Sequence, residues 1–323
     1  MALVIRRDLR RDEKGVASTV GTIMALLVFL TFLSLIINQY VPVWMKDSEA
    51  AHMDTAVGQF AGLKGAIDFQ TLGALMAQNA GVIFIPSTTS TSVTLGVDGV
   101  PIFSSPSTGA MVSNPDAGPW SVWFQYKING VVTTVAQIAN GTIDLSVQNR
   151  YYPAGDVVYE NGAVIRSQPD GQVVRAAPTF LATPTATSLN VAFELVNLYG
   201  SGSAAGTSTQ IINTKVFGVN QQTYANLSAP LWVNHTSPYG LAWFNFFNSS
   251  LSSSMEVGNA FTYQSTAVQT IVTTAYYRLV LLPNPAAGLY SLSVKINNTP
   301  LALSFTLQQA YVNVGVGQSS NMV

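Results

Sequence analysis

Cysteine is absent from the 323 residues, which excludes a disulfide framework, a thiol nucleophile and a thiolate metal site. Charge is scarce as well. Asp, Glu, Lys and Arg make up 9 % of the chain, against about 25 % in typical globular proteins. The formal net charge is −1, so neither a basic patch for nucleic acid nor an acidic excess is present. Histidine is nearly missing: His52 and His235 share no metal-ligand spacing. No G-x-S-x-G, H-E-x-x-H, P-loop or EF-hand sequence occurs. No enzyme, metal site or cofactor is therefore expected. Asp156 and Glu160 flank an expected strand and stand either as a carboxylate pair or as residues that orient a turn.

The scarcity of charge becomes complete between Lys14 and Lys46. Ahead of that gap the first fifteen residues hold five basic and three acidic side chains, and the rest of the chain holds nine and twelve. Val16–Tyr40 is about 25 residues, enough to cross a hydrocarbon core of ~30 Å at 1.5 Å per residue. Basic residues before the span place the N-terminus in the cytoplasm and everything after about Lys46 outside. A secretory signal has a shorter apolar core and a small-residue cleavage site behind it; here the small residue, Gly15, comes first. Beyond the span, Met53, Val57, Phe60, Leu63, Ile67, Thr71 and Leu75 recur at steps of three or four, an amphipathic helical period. One helix is expected from near Ser18 to near Asn79, with a kink at Pro42.

The stretch Lys14-Gly15-Val16-Ala17-Ser18-Thr19-Val20-Gly21-Thr22-Ile23-Met24 resembles the start of archaeal type IV pilin-like surface proteins with class III signal peptides. Asn149-Arg150-Tyr151-Tyr152 and Tyr159-Glu160-Asn161-Gly162-Ala163-Val164 resemble uncharacterised archaeal members of that class with a β-rich exterior. The resemblance implies cleavage between Gly15 and Val16 by a prepilin peptidase, retention of the helix, and assembly with copies of the chain or with other pilin-like subunits. In bacterial pilins the fifth residue after the cut is Glu; here it is Val20, so the subunit contact made by that carboxylate does not carry over.

From 81 to 323 the pattern is all-β. Strands are expected at Val82–Ile85, Ser92–Val97, Ser121–Ile128, Val131–Ile138, Thr142–Val147, Val157–Tyr159, Ala163–Arg166, Leu189–Leu198, Thr209–Phe217, Thr270–Leu282, Leu289–Ile296 and Ala302–Val314. Asn129-Gly130, Asn140-Gly141 and Asn161-Gly162 are hairpin signals, because both turn positions take positive φ. Strands spaced this closely without intervening helices suggest an antiparallel sandwich. Gly200–Ser208 is expected as a loop, with a boundary between two β units as the alternative. Ser237-Pro238 resembles an N-cap and first helical proline, followed by a helix carrying Trp243, Phe246, Phe247 and Leu251 on one side. That stripe packs on a sheet or offers a platform for sugar, and packing is the commoner use. The expected organisation is a leader over 1–15, a membrane-spanning and juxtamembrane helix over 16–80, and an extracellular β region over 81–323.

Asn140, Asn226, Asn234, Asn248 and Asn297 stand in Asn-x-Ser/Thr sequons and are candidate glycan acceptors in an exported chain. Four of them fall after Leu195, where Lys215, Glu256, Arg278 and Lys295 are the only charges. The expected protein is a structural or adhesive pilin-like protein, held at the cell membrane or in an extracellular filament. The alternative is an uncleaved single-pass module that binds carbohydrate or another envelope component. Its expected partners are the membrane, the peptidase and its own kind, with no nucleic acid.

Overall fold

The computed structural model describes residues 10–100, 103–256, 261–266 and 268–317. Met1–Leu9 of the expected leader lies outside them. Through Val16 only the backbone is described, so the side chains of the Gly15–Val16 junction lie outside as well.

Three helical stretches follow one another without a break: α1 (Arg10–Leu35), a π-helical turn over Ile36–Tyr40, and α2 (Val41–Asn79). Ala17–Asn79 is 63 residues of continuous helix, about 95 Å at the α-helical rise. It contains a stretch long and apolar enough to cross a membrane. The break expected at Pro42 takes the form of this wider turn, in which the Val41 N–H reaches back to the Ile36 carbonyl. Proline has no N–H to donate and its ring crowds the carbonyl four residues earlier; one turn of i→i−5 bonding absorbs both problems. Burial changes at the same place. Val20 through Tyr40 is largely exposed, whereas Val41, Met45, Met53, Ala56, Phe60, Leu63, Ile67 and Ala74 are buried.

The rest is mainly β with one short helix, α3 (Gly240–Ser254). In chain order the strands are β1 (Thr89–Thr94), β2 (Gly109–Asn114), β3 (Trp120–Ile128), β4 (Val131–Ala139), β5 (Thr142–Val147), β6 (Gly155–Glu160), β7 (Ala163–Gln168), β8 (Gly171–Ala176) and β9 (Phe180–Pro184). They continue with β10 (Ser188–Tyr199), β11 (Gly202–Gly206), β12 (Thr209–Tyr224), β13 (Leu231–Ser237), β14 (Thr262–Ser265), β15 (Thr270–Thr273), β16 (Tyr277–Asn284), β17 (Leu289–Ile296) and β18 (Ala302–Val316). They form three sheets with the orders β1-β12-β18-β10-β9, β11-β2-β5-β6-β7-β8 and β14-β15-β16-β17-β13-β3-β4. Among the described residues every strand pairing is antiparallel except that of β10 with β18.

Two cores share the first sheet. On β10, Val191, Phe193 and Leu195 join a core with β3, β13, β17 and α3, while Val196 and Leu198 join a second core with α2. The parity switch puts the two cores on opposite faces of the same strands. β18 repeats it, with Phe305 and Leu307 on one side and Ala310, Val312 and Val314 on the other. The second sheet is also used on both faces. Ile143, Leu145, Val157 and Tyr159 meet α2, and Val158 meets the other core.

The hairpin turns at Asn129-Gly130 and Asn161-Gly162 have positive φ at both residues, at 50° and 82° and at 43° and 76°. Asn140-Gly141 does not close a hairpin: β4 pairs with β3, β5 pairs with β2 and β6, and the dipeptide carries the chain between sheets. Gly141 has φ 117°, and a Cβ there would lie 2.4 Å from Leu198 Cβ. Gly200–Ser208 is not a plain loop, since β11 pairs along β2, and β10 and β12 on either side of it belong to one sheet. Val82–Ile85 forms no strand, having no partner, and leaves Ile83 and Ile85 exposed. Expected Thr270–Leu282 divides into β15 and β16 at a turn where the Thr274 hydroxyl accepts the Tyr276 and Tyr277 N–H groups. Ser237 is not the N-cap of α3; it ends β13, and Tyr239 holds the cap position without a side-chain bond.

Candidate functional site

The side chains that do most to join one element to another lie along α2. Glu49 is fully buried and points at the loop after β5. Its Oε1 accepts the Ser107 hydroxyl and the Arg150 N–H at 3.0 Å; its Oε2 accepts the Tyr151 and Tyr152 N–H groups at 2.8 and 2.6 Å. Burial works to raise its pKa, but the Ser107 hydroxyl and the three N–H groups outweigh it and hold the carboxyl below its ordinary value. Asn149-Arg150-Tyr151-Tyr152 thus gains a physical meaning: its backbone is the cradle for a helix carboxylate.

Further along the same helix, His52 Nε2 donates to the Thr94 carbonyl at 2.9 Å. Gln59 Oε1 accepts the Thr94 N–H at 3.0 Å, and Gln70 Oε1 accepts the Val216 N–H at 2.9 Å. Both glutamines act as side-chain strand partners, one at the end of β1 and the other beside the bulge of β12. Asp54 takes one arm of Arg166 at 2.7 Å while the other arm bonds the Tyr152 hydroxyl at 2.9 Å. Asn161, at the β6–β7 turn, bonds β10 in the same way: Oδ1 accepts Val196 N–H at 2.8 Å and Nδ2 donates to Glu194 O at 3.1 Å.

A second polar cluster sits where the second sheet meets α3. Glu160 is fully buried. Its Oε2 faces His235 Nε2 at 3.2 Å, the Ser237 hydroxyl at 3.2 Å and the Trp243 indole N–H at 2.6 Å. Oε1 has no partner in the protein and is closed over by Gly118, where a Cβ would come within 2.3 Å of it. His235 Nδ1 lies 3.1 Å from the Pro119 carbonyl, which only accepts, so Nδ1 carries a proton. Trp120 stacks on the imidazole at 3.8 Å.

Ser237 and His235 both meet the same carboxylate oxygen, whereas a nucleophile and its base must bond each other. Asp156 lies four residues from Glu160 on the same strand, about 13 Å away at the usual rise, so the two do not form a pair. The carboxylate on which the Glu160 charge acts is Asp144 of the adjacent strand. Burial pushes Asp144 up to about 6, the Thr142 hydroxyl works against it, and the Glu160 charge adds to it. The Tyr239 hydroxyl donates to Asp144 at 3.1 Å. Among the described residues no group of three or more His, Cys, Asp and Glu is placed to hold a metal ion.

The sequon asparagines are scattered. Asn226 is exposed in a turn. Asn234 lies within β13, half-buried, accepting the Ser293 hydroxyl at 2.8 Å, and Asn248 lies within α3. Asn297 donates to the Ala275 carbonyl at 2.9 Å. Asn140 lines a cleft of about 370 Å³ on the flank of the β region, shared with Asn197, Tyr199 and Tyr311. Trp243, Phe247 and Leu251 are fully buried, so the aromatic stripe of α3 packs on the sheets.

Residues 124–282, just under half of the chain, match a family model described as "Family of unknown function (DUF7289)". No curated protein and no solved structure matches. The matched stretch includes Glu160, His235 and Trp243, and Glu49 lies outside it.

Proposed function

We propose that this chain is a pilin-like structural or adhesive protein of the cell surface, anchored or assembled through its N-terminal helix, with the β region displayed outside. One observation carries the reading. A single helix is largely exposed up to Tyr40 and buried along one face from Val41 on, and is bonded into the β region through Glu49, His52, Gln59 and Gln70. Such a helix passes force between a bilayer or helix bundle and the sheets without a hinge of loop between them. The apolar segment serves the anchor, and the seam serves the display. The resemblance of Lys14–Met24 to prepilin-type N-termini supports processing after Gly15, with Val16 as the first mature residue.

The test is N-terminal peptide mapping of the protein from its native membrane, with electron microscopy of sheared surface material. A mature start at Val16, lost in Gly15→Trp, is the expected result. Peptides from Met1–Lys14 at full stoichiometry in the surface-exposed protein select the uncleaved single-pass module instead.

A further inference from the structure

The flank of the β region has a face whose chemistry changes where its cover ends. On β10 the positions facing the aromatic core run Val191, Phe193, Leu195, and the next two on that face are Asn197 and Tyr199. On β18 the same face runs Phe305, Leu307 and then Gln309 and Tyr311. Two neighbouring strands thus exchange aliphatic side chains for an amide followed by a tyrosine. Beside them Gln137 of β4 and Asn140 complete the wall of the cleft. Its volume, about 370 Å³, falls in the ~300–1,000 Å³ range of small-ligand sites.

The polar groups are arranged as a site. Gln309, only 6 % exposed, donates to Gln137 Oε1 at 3.3 Å and so ties the two sheets together at the cleft. Asn197 Nδ2 is buried and has no hydrogen-bond partner in the protein. A buried unpaired donor is costly, and this one belongs to a residue that lines the cleft. The aromatic side is equally organised. Tyr199, Tyr311 and Phe217 form a shelf with ring centroids 5.5, 6.2 and 6.5 Å apart. Phe217 sits at the irregularity in β12 between Val216 and Gly218. Tyr199 and Phe217 are 44 % and 48 % exposed.

Asp116 is the one charged residue among those that line the cleft, and no cation accompanies it. Anionic ligands therefore have no counter-charge here. Amides offer donors and acceptors together, and the rings offer a flat apolar surface beside them. We propose that this cleft binds a neutral hexose unit of an oligosaccharide, with the ring face on the tyrosines and the hydroxyls on the amides of Asn197 and its neighbours. The inference rests on the surface-protein reading only for the source of the sugar, since the cleft lies wholly in the β region.

The experiment uses the full chain, made in a host that does not N-glycosylate so that no glycan of its own covers the cleft, in a detergent with a non-sugar headgroup. Calorimetric titration with neutral trisaccharides of glucose, mannose and galactose is compared with sialyllactose and a heparin trisaccharide. Binding of at least one neutral sugar with a Kd of about 0.1–1 mM, insensitive to salt, is expected. Tyr199→Ala and Asn197→Leu should each weaken it at least about tenfold with the near-ultraviolet spectrum of the fold retained. A peptide-linked form of the same sugar tells the sources apart: tighter binding than the free trisaccharide indicates a glycoprotein, and equal binding a free glycan. Absence of heat with every neutral sugar at about 10 mM, preference for the anionic sugars, or undiminished binding in both folded variants overturns the proposal. The same titration on Leu27→Arg protein separates it from the anchor reading, because loss of anchoring leaves the cleft intact.

Discussion

The two halves of the N-terminal helix share one continuous helical backbone but differ in what they touch. Between Val20 and Tyr40 the large side chains are exposed, Phe29 and Phe32 among them at 61 % and 66 %. From Val41 onward the inward side chains are buried and the polar ones are bonded to sheets. The first half therefore draws no stability from its own chain and requires an external apolar partner, whether lipid or other helices. The second half is part of the β region's core. The π turn over Ile36–Tyr40 and Pro42 mark the border, so a helix that is continuous in its backbone holds two independent stability problems.

Substitutions in the two halves should separate those problems. Phe60 is fully buried in the core shared by α2, β5, β6 and β12. Phe60→Ala removes a large side chain from a closed site, which costs about 3–5 kcal/mol. Chemical denaturation of the full chain should show that loss, while membrane partition stays unchanged. If stability is unaffected, α2 is not part of the core. The converse is Leu27→Arg. An arginine at mid-span costs about 2.5–3.5 kcal/mol on insertion scales. Leu27 is 57 % exposed. Membrane fractionation should show reduced anchoring, with an unaltered near-ultraviolet spectrum from the tryptophans of the β region. Normal anchoring at normal levels would mean that the span lies elsewhere.

How far the sequence discloses this division depends on how local each cause is. The period of α2, the break before Pro42 and the positive-φ turns at Asn129-Gly130 and Asn161-Gly162 are short-range effects and are legible as such. β11 reads Gly-Ser-Ala-Ala-Gly and has little intrinsic strand preference; pairing along β2 makes it a strand. β13 alternates clearly, but its sequon and the following proline draw the eye to turn chemistry, although the Ser237 hydroxyl is committed to Glu160. The buried joints are the least legible. Glu49 meets Arg150, Tyr151 and Tyr152 across separations of 101, 102 and 103 residues. A single glutamate in a helix carries no mark of such a contact. Asp144 and Glu160 are similarly hidden, because adjacency across β5 and β6 depends on register.

Glu49 sharpens the comparison at the point where the helix first enters the fold. Glu49→Gln keeps the shape but turns an amide NH₂ toward N–H donors and removes the charge that they stabilise. Hydrogen bonds to a charged group are worth about 1.5–3 kcal/mol, and a loss of about 2 kcal/mol is expected. Hydrogen exchange should rise at Arg150–Tyr152 and around Glu49, and should stay low at Val122 and Trp243. A uniform rise across both cores would show that Glu49 is not a local joint.

Acid should act on the molecule in two opposite ways, and Asp144 gives the smallest but most diagnostic effect. Glu49 has a lowered folded pKa, so its contribution is complete above the ordinary carboxyl value of 4.5 and is lost as pH falls through the lowered one. Asp144 is raised from 3.8 to about 6. Its folded form therefore binds a proton more tightly than the unfolded chain does, and ionisation opposes folding at neutral pH. Stability should accordingly rise as pH falls from about 7 toward 5, where the seam at Glu49 is still intact. A shift of about two units sets a ceiling of about 3 kcal/mol. Asp144→Asn is neutral at every pH; the Thr142 and Tyr239 hydroxyls meet different carboxylate oxygens, so its one oxygen accepts one of them and its NH₂ donates to the oxygen of the other. It should gain about 1–2 kcal/mol at pH 7 and lose the rise between pH 7 and 5, as read from denaturant midpoints across that range. An unchanged pH slope in Asp144→Asn would show that another group binds the proton. A fall in wild-type stability over the same interval would place the first acid failure at the α2 seam instead.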